Sequence, residues 1–137
     1  MTFKRGIDKE RELVRWLFTQ GYMAVRCAGS GGGTKLPRPD ILAGDSIYHY
    51  GIELKSSRND TVYISAEQVA ELEQFCAGFG AVPLVCAKFT YMPPVFLRPE
   101  NLSVTENMNY KITRQEIKGG LRSDLRPPAH SFDNCWR

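Results

Sequence analysis

A single α/β domain, with a central mixed β-sheet flanked by helices, is the fold class this sequence predicts. Three observations carry it. Leu13, Val14, Leu17 and Phe18 recur at helical spacing near the start. "DILAGDSIYHYGIELKS" reads as two strands around turn residues. "AVPLVCAKF" is a nearly unbroken apolar run, as a central strand covered on both faces would be.

Taken in order, Ile7 to Gln20 is the first helix, and Gly21 stops it. Glu10 lies three, four, seven and eight residues before the four stripe residues. It therefore falls on the apolar stripe and not on the wet face. A first-turn glutamate favoured by the helix dipole is the competing reading. Tyr22 to Cys27 has strand character. Ala28 to Pro39 is a glycine-rich loop with Lys35 and Arg38, and it lacks the G-K-[ST] of a phosphate-binding loop.

Asp40 to Ala43 and Tyr48 to Ser56 form the expected hairpin, with Gly44-Asp45-Ser46 as turn material. A turn near Ser46 brings Asp40 close to opposite Glu53. Ser65 to Gly78 is the second helix, with Ser65 and Gln68 at capping-box spacing. Its apolar positions are Val69, Leu72, Phe75, Cys76 and Phe79. Ala81 to Phe89 is the third strand and Val95 to Leu97 the fourth. Thr113 and Glu116 have the spacing to cap a brief helix. Residues 1–120 are expected to form the domain, with a loosely held tail over 121–137.

The 137 residues suit one domain with a real core. No apolar run approaches the ~20 residues of a membrane helix, and the charged N-terminal stretch does not suit a signal peptide. A soluble, cytoplasmic protein is the expectation. The four cysteines match no zinc spacing, and Cys76 and Cys86 fall in apolar segments as core residues. His49 and His130 join no motif. Residues 1–38 carry eight Lys/Arg and three Asp/Glu, a balance of +5, whereas 39–137 carry ten and twelve, a balance of −2. A basic region is the footprint of a phosphate-backbone partner, although a solvated basic face gives the same count.

The informative anomaly is Asp40, Glu53 and Lys55, set among apolar strand residues. Buried charges are costly unless paired or bound to metal. Glu53 and Lys55 are two apart on a strand and share a face. Asp40 can join them from the neighbouring strand. Two adjacent carboxylates suit a hard cation such as Mg²⁺ or Mn²⁺. Such an ion activates water and stabilises charge on a phosphate, and a lysine beside it can orient that water or hold the phosphate. A structural Glu53–Lys55 salt bridge is the competing reading of these residues.

The order helix-Glu, strand, Gly-Ser loop, P-D, E-x-K, helix, strand resembles the PD-(D/E)xK nuclease superfamily. "KRGIDKERELVRWLFTQGY", "VRCAGSGGG", "RPDILAG", "IELKSS" and "FCAGFGAVPLVCAKF" resemble, more narrowly, the archaeal Holliday junction resolvase family, from about Lys4 to Phe96. The resemblance implies a restriction-endonuclease-like fold and a homodimer acting in recombination and repair. Each such dimer cuts two opposed strands of a branched, four-way DNA junction with Mg²⁺ and no organic cofactor, in association with the nucleoid. It implies Asp40, Glu53, the Leu54 backbone carbonyl and Glu10 as metal-binding groups, Lys55 as the catalytic lysine and Ser30 as a further catalytic residue. DNA contacts are expected from Lys4, Arg5, Arg11, Arg26, Lys35, Arg38 and Arg58. Phe75 and Phe79 match aromatics of the family's dimer interface, with core packing as the alternative. Two other functions compete: another nuclease of the superfamily, acting on duplex or ends, and a DNA-binding module with a vestigial site.

Overall fold

The computed structural model describes residues 2–27 and 36–129, with side chains from Gly6 onward. Helix α1 (Thr2–Gln20) leads into β1 (Met23–Arg26), β2 (Ile41–Gly44), β3 (His49–Ser57) and β4 (Thr61–Ile64). Then follow α2 (Ala66–Phe79), β5 (Val82–Phe89), β6 (Val95–Leu97), β7 (Ser103–Val104), β8 (Tyr110–Thr113) and α3 (Arg114–Lys118). A mixed sheet runs β1-β2-β3-β5-β6, and a second sheet of three strands runs β4-β8-β7. The α/β class with a mixed central sheet flanked by helices is as the sequence predicts.

Each element has a local cause. Leu13 and Leu17 of α1 are buried against the main sheet. Gly21 ends α1 with φ 103, and its N–H reaches the Phe18 carbonyl at 3.1 Å. A Cβ there would also sit 2.8 Å from Pro128, so glycine serves both the backbone and the packing. Helix α2 carries the capping box expected from its sequence, with Ser65 and Gln68 each accepting the other's backbone N–H. Gly51 of β3 lets α2 approach closely, since a Cβ would fall 2.5 Å from the Cys76 sulfur.

Strand β5 pairs in parallel with β3 and antiparallel with β6. A parallel pair needs a crossover, which β4 and α2 supply. Leu84 and Cys86 enter the core beneath α1, while Val85 and Ala87 enter the core beneath α2. That is why the run is apolar at both parities.

One feature differs from the sequence reading. Strands β4, β7 and β8 form a second antiparallel sheet that pattern reading does not find. Residues 121–129 hold no regular element yet lie along the body. The Asp124 N–H donates to the Phe96 carbonyl at 2.6 Å, Tyr22 donates to the Arg126 carbonyl, and the Ala129 N–H donates to Asp45 at 3.0 Å. No helix among the described residues is long and apolar enough to cross a membrane.

Candidate active site

The site forms where β2 stops short of its neighbour. Ile41 pairs with Ile52, so β3 continues for five residues without β2 beside it. Asp40 sits at that step. Its N–H donates to the Ile52 carbonyl at 2.9 Å, and its carbonyl accepts from Cys27 at 2.8 Å. These bonds fix the backbone, so the carboxylate turns along the open edge, where Oδ2 accepts the Leu54 N–H at 2.8 Å. In a strand the C=O of a residue points to the same side as its N–H. The Leu54 carbonyl is thus directed to the side of Asp40.

Glu53 follows one step along β3, opposite Asp40 in the continued register of the hairpin. Burial first, and then the nearby Asp40 charge, push the Glu53 carboxyl up to about 8, against a smaller opposing pull from the Lys55 ammonium. Both causes favour the neutral form of Glu53, which limits its repulsion with Asp40. Lys55 lies two residues on, paired with Ala87, and so on the same face as Glu53.

Glu10 enters from α1. Burial and the Asp40 charge raise its pKa, while Arg26 opposes the shift. The Arg26 guanidinium lies 3.4 Å from Glu10 Oε1, with both side chains about a quarter exposed or less. Among the described residues no three His, Cys, Asp or Glu side chains stand as a ready metal-ligand group. Asp40 and Glu53 converge, and Glu10 is turned toward Arg26.

The remaining expected positions spread more widely. Arg11 is exposed and 3.9 Å from Asp8. Arg38 and Arg58 are exposed. Phe75 is half-buried and stacks on Phe79 at 5.1 Å, with Phe79 57% exposed. Ser30, Lys35 and His130 lie outside the described residues, as do the side chains of Lys4 and Arg5. Sequence reading missed the Arg26–Glu10 pair. Both residues were singled out there, but only the packing of α1 on β1 joins them.

The family model for the archaeal Holliday junction resolvase (Hjc) matches residues 1–126. This chain belongs to that family. The match extends well past Phe96, through the second sheet and into the segment pinned along the body. The crossover junction endodeoxyribonuclease Hjc of Archaeoglobus fulgidus is 36% identical over 117 residues, covering 85% of each chain. Its namesake from Sulfolobus acidocaldarius is 33% identical over 121 residues, 88% of this chain and 84% of that one. The solved structure of the Archaeoglobus fulgidus protein, titled a Holliday junction resolvase, superposes with a TM-score of 0.73. It shares 35% identity and covers 82% of this chain and 92% of that one. The fold is thus that of a junction-resolving endonuclease family.

Proposed function

We propose that this protein is a structure-selective endonuclease. It resolves four-way DNA junctions by hydrolysing one phosphodiester in each of two opposed strands. The observation that carries the reading is the Asp40 carboxylate, held on the Leu54 N–H beside Glu53 and Lys55, at the open edge of β3. Family membership supports it.

The residues fit a hard divalent cation such as Mg²⁺, or Mn²⁺ in its place. Two neighbouring carboxyls at the open strand edge offer the oxygen set and charge that a cation would take up, and Mg²⁺ is commonly held by one or two carboxylates with waters filling the rest. Asp40, Glu53 and the Leu54 carbonyl would hold it, and Glu10 would reach it through its waters. When bound, the ion supplies an activated water and charge stabilisation at the phosphate. Leu54 orients Asp40 through its N–H. Lys55 offers an ammonium to the non-bridging oxygens of the scissile phosphate or to the attacking water. Arg26 holds Glu10 in line. Ser30 is assigned a supporting catalytic role by the family resemblance alone.

The proposed protein is a homodimer, because a two-fold assembly meets the pseudo-symmetry of a junction. An uncovered apolar face supports this. Met23 and Val25 alternate to the side of β1 away from α1 and are 43% and 61% exposed, and α2 packs over β3 and β5 beside them. Phe75 and Phe79, stacked on each other with Phe79 57% exposed, are the aromatics of α2 offered to a second copy. DNA contact is assigned to the basic residues Lys4, Arg5, Arg11, Arg26, Lys35, Arg38 and Arg58.

The test is cleavage of a synthetic four-way junction against a linear duplex of the same sequence, with Mg²⁺ and with excess EDTA. Paired, symmetric nicks in the junction arms that need the ion are expected. Equal cutting of the linear duplex, or undiminished cutting in EDTA, refutes the reading.

A further inference from the structure

Arg114 opens α3 at the end of the second sheet, yet its side chain reaches back to the first. Its backbone N–H donates to the Asp60 carbonyl at 2.8 Å. Nε donates to the Asn59 carbonyl at 3.1 Å, Nη2 to Arg58 at 3.4 Å and Nη1 to Thr90 at 3.1 Å. The guanidinium also lies 3.5 Å from Asp60 Oδ1 and 5.1 Å from the centre of the Phe89 ring. The side chain is only 18% exposed. One residue thus fastens two turns at the carboxyl ends of adjacent strands, the one after β3 and the one after β5. A planar fork reaches the three carbonyls from three separate nitrogens, where an ammonium has only one.

The turn after β3 carries Arg58, three residues beyond Lys55 and exposed. It faces a groove of about 670 Å³ along the end of β3, where Lys9, Arg58 and Lys88 outnumber Asp8 and Glu12. Lys88 is committed to the turn after β5, donating to the Phe89 carbonyl at 2.9 Å and to that of Met92. Lys9 lies 3.6 Å from Glu12. The turn after β5 is held tightly enough to keep Tyr91 at φ 65, a conformation that costs a non-glycine residue free energy and persists only when its surroundings impose it.

We infer that a DNA arm runs along this groove with a backbone phosphate on Arg58, and that Arg114 is a positioning residue that holds Arg58 there without touching DNA itself. The inference rests on the proposed junction binding and names a path and a support for it.

The experiment measures junction affinity across a salt titration for the full chain, R58A, R114A, R114K and the R58A/R114A double variant, with melting temperatures alongside. Loss of one phosphate contact lowers the slope of log affinity against log salt by about one. R58A and R114A are each expected to lose about one, and the double variant no more than R58A. R114K keeps the charge over Phe89, folds, and is expected to bind like R114A. Three outcomes overturn the inference: an unchanged slope in R58A, a wild-type slope in R114K with only the melting temperature lowered, or additive losses in the double variant. A wild-type chain that fails to prefer the junction sinks the resolvase reading as well. A normal wild-type preference with an unchanged R58A slope sinks this inference alone.

Discussion

Two aspartates mark the two ends of the β2 strand, five residues apart, and they do opposite things. Asp45 is 6% exposed, and its carboxylate accepts N–H groups from Ile47 at 3.1 Å, Tyr48 at 2.7 Å and Ala129 at 3.0 Å. Burial alone would raise its pKa, but these donors more than offset that and hold it below the usual carboxylate range. Asp40 receives the Leu54 N–H and otherwise faces Glu53 and Glu10, two groups of its own sign. The fastener is the more buried of the two, with Asp40 only half-buried, so burial does not mark the site. What separates them is whether the backbone supplies donors or the neighbours supply like charge. A carboxylate with three N–H partners closes a turn and pins a tail. One held against other carboxyls keeps its affinity for a cation.

The sharpest way to break this comparison is to remove the like charge. Asp40→Asn and Glu53→Gln are each expected to bring junction cleavage below detection, with junction affinity retained and no loss of melting temperature. Single-turnover nicking and a binding titration read both halves. A variant that loses folding instead of cleavage would place Asp40 or Glu53 with Asp45 as a fastener.

Glu10 tests where the boundary lies, because it has both an ion-pair partner and a like-charge neighbour. Glu10→Gln is expected to slow cleavage by orders of magnitude, each tenfold corresponding to about 1.4 kcal/mol of transition-state stabilisation. Part of any stability loss would come from leaving Arg26 without its anion. Arg26→Ala separates the two: it should lose stability of the same order while cutting faster than Glu10→Gln. Near wild-type cleavage by Glu10→Gln would reduce Glu10 to a partner for Arg26.

At the other end of β2 the effect moves from rate to stability. Asp45→Ala removes the acceptor of three N–H bonds and leaves those donors to find water or go unmet. Hydrogen bonds to charged groups contribute about 1.5–3 kcal/mol each and do not simply add, so a loss of about 3 kcal/mol is expected. A urea titration measures it. The cleavage rate of the folded fraction should be unchanged. Since Asp45 holds Ala129, limited proteolysis near the C-terminus should also become faster.

How far all this could be read from the chain depends on the range of the interaction. Helix α1, the position of Glu10 on its stripe, the α2 capping box and the buried run of β5 are written in residues a few positions apart, and they were legible. So was the apposition of Asp40 and Glu53, because a hairpin register follows from its turn. Strands β4, β7 and β8 are two to four residues long, too short for a period to emerge, and they exist only because they pair with one another. The Arg26–Glu10 pair, the Arg114 clasp and the Asp45–Ala129 bond span 16 to 84 residues in sequence. No local pattern encodes them. The family resemblance assigned roles to Ser30 and the basic residues, but it carries no geometry.

The smallest effect expected is a drift of stability with pH, and its sign follows from Glu53. In metal-free protein its carboxyl is pushed up to about 8 from an ordinary 4.5. A carboxyl whose pKa is raised on folding binds its proton more tightly in the folded state. Its contribution to stability is therefore present below about pH 4.5 and is lost as pH rises through about 8. Glu10, also raised, acts in the same direction. Asp45 and Glu116 are lowered on folding, and their contributions disappear only as pH falls below the ordinary carboxylate range, outside this window. In EDTA, the melting temperature should fall between about pH 5 and about pH 8.5, and Glu53→Gln should flatten most of that fall. Mg²⁺, taking the place of the proton, should raise the melting temperature more at the upper end of the range than at the lower, since a ligand that binds only the folded state stabilises it by mass action. If Glu53→Gln keeps the wild-type pH profile, the Glu53 carboxyl is not the source of the drift, and the contrast between the two ends of β2 loses its electrostatic basis.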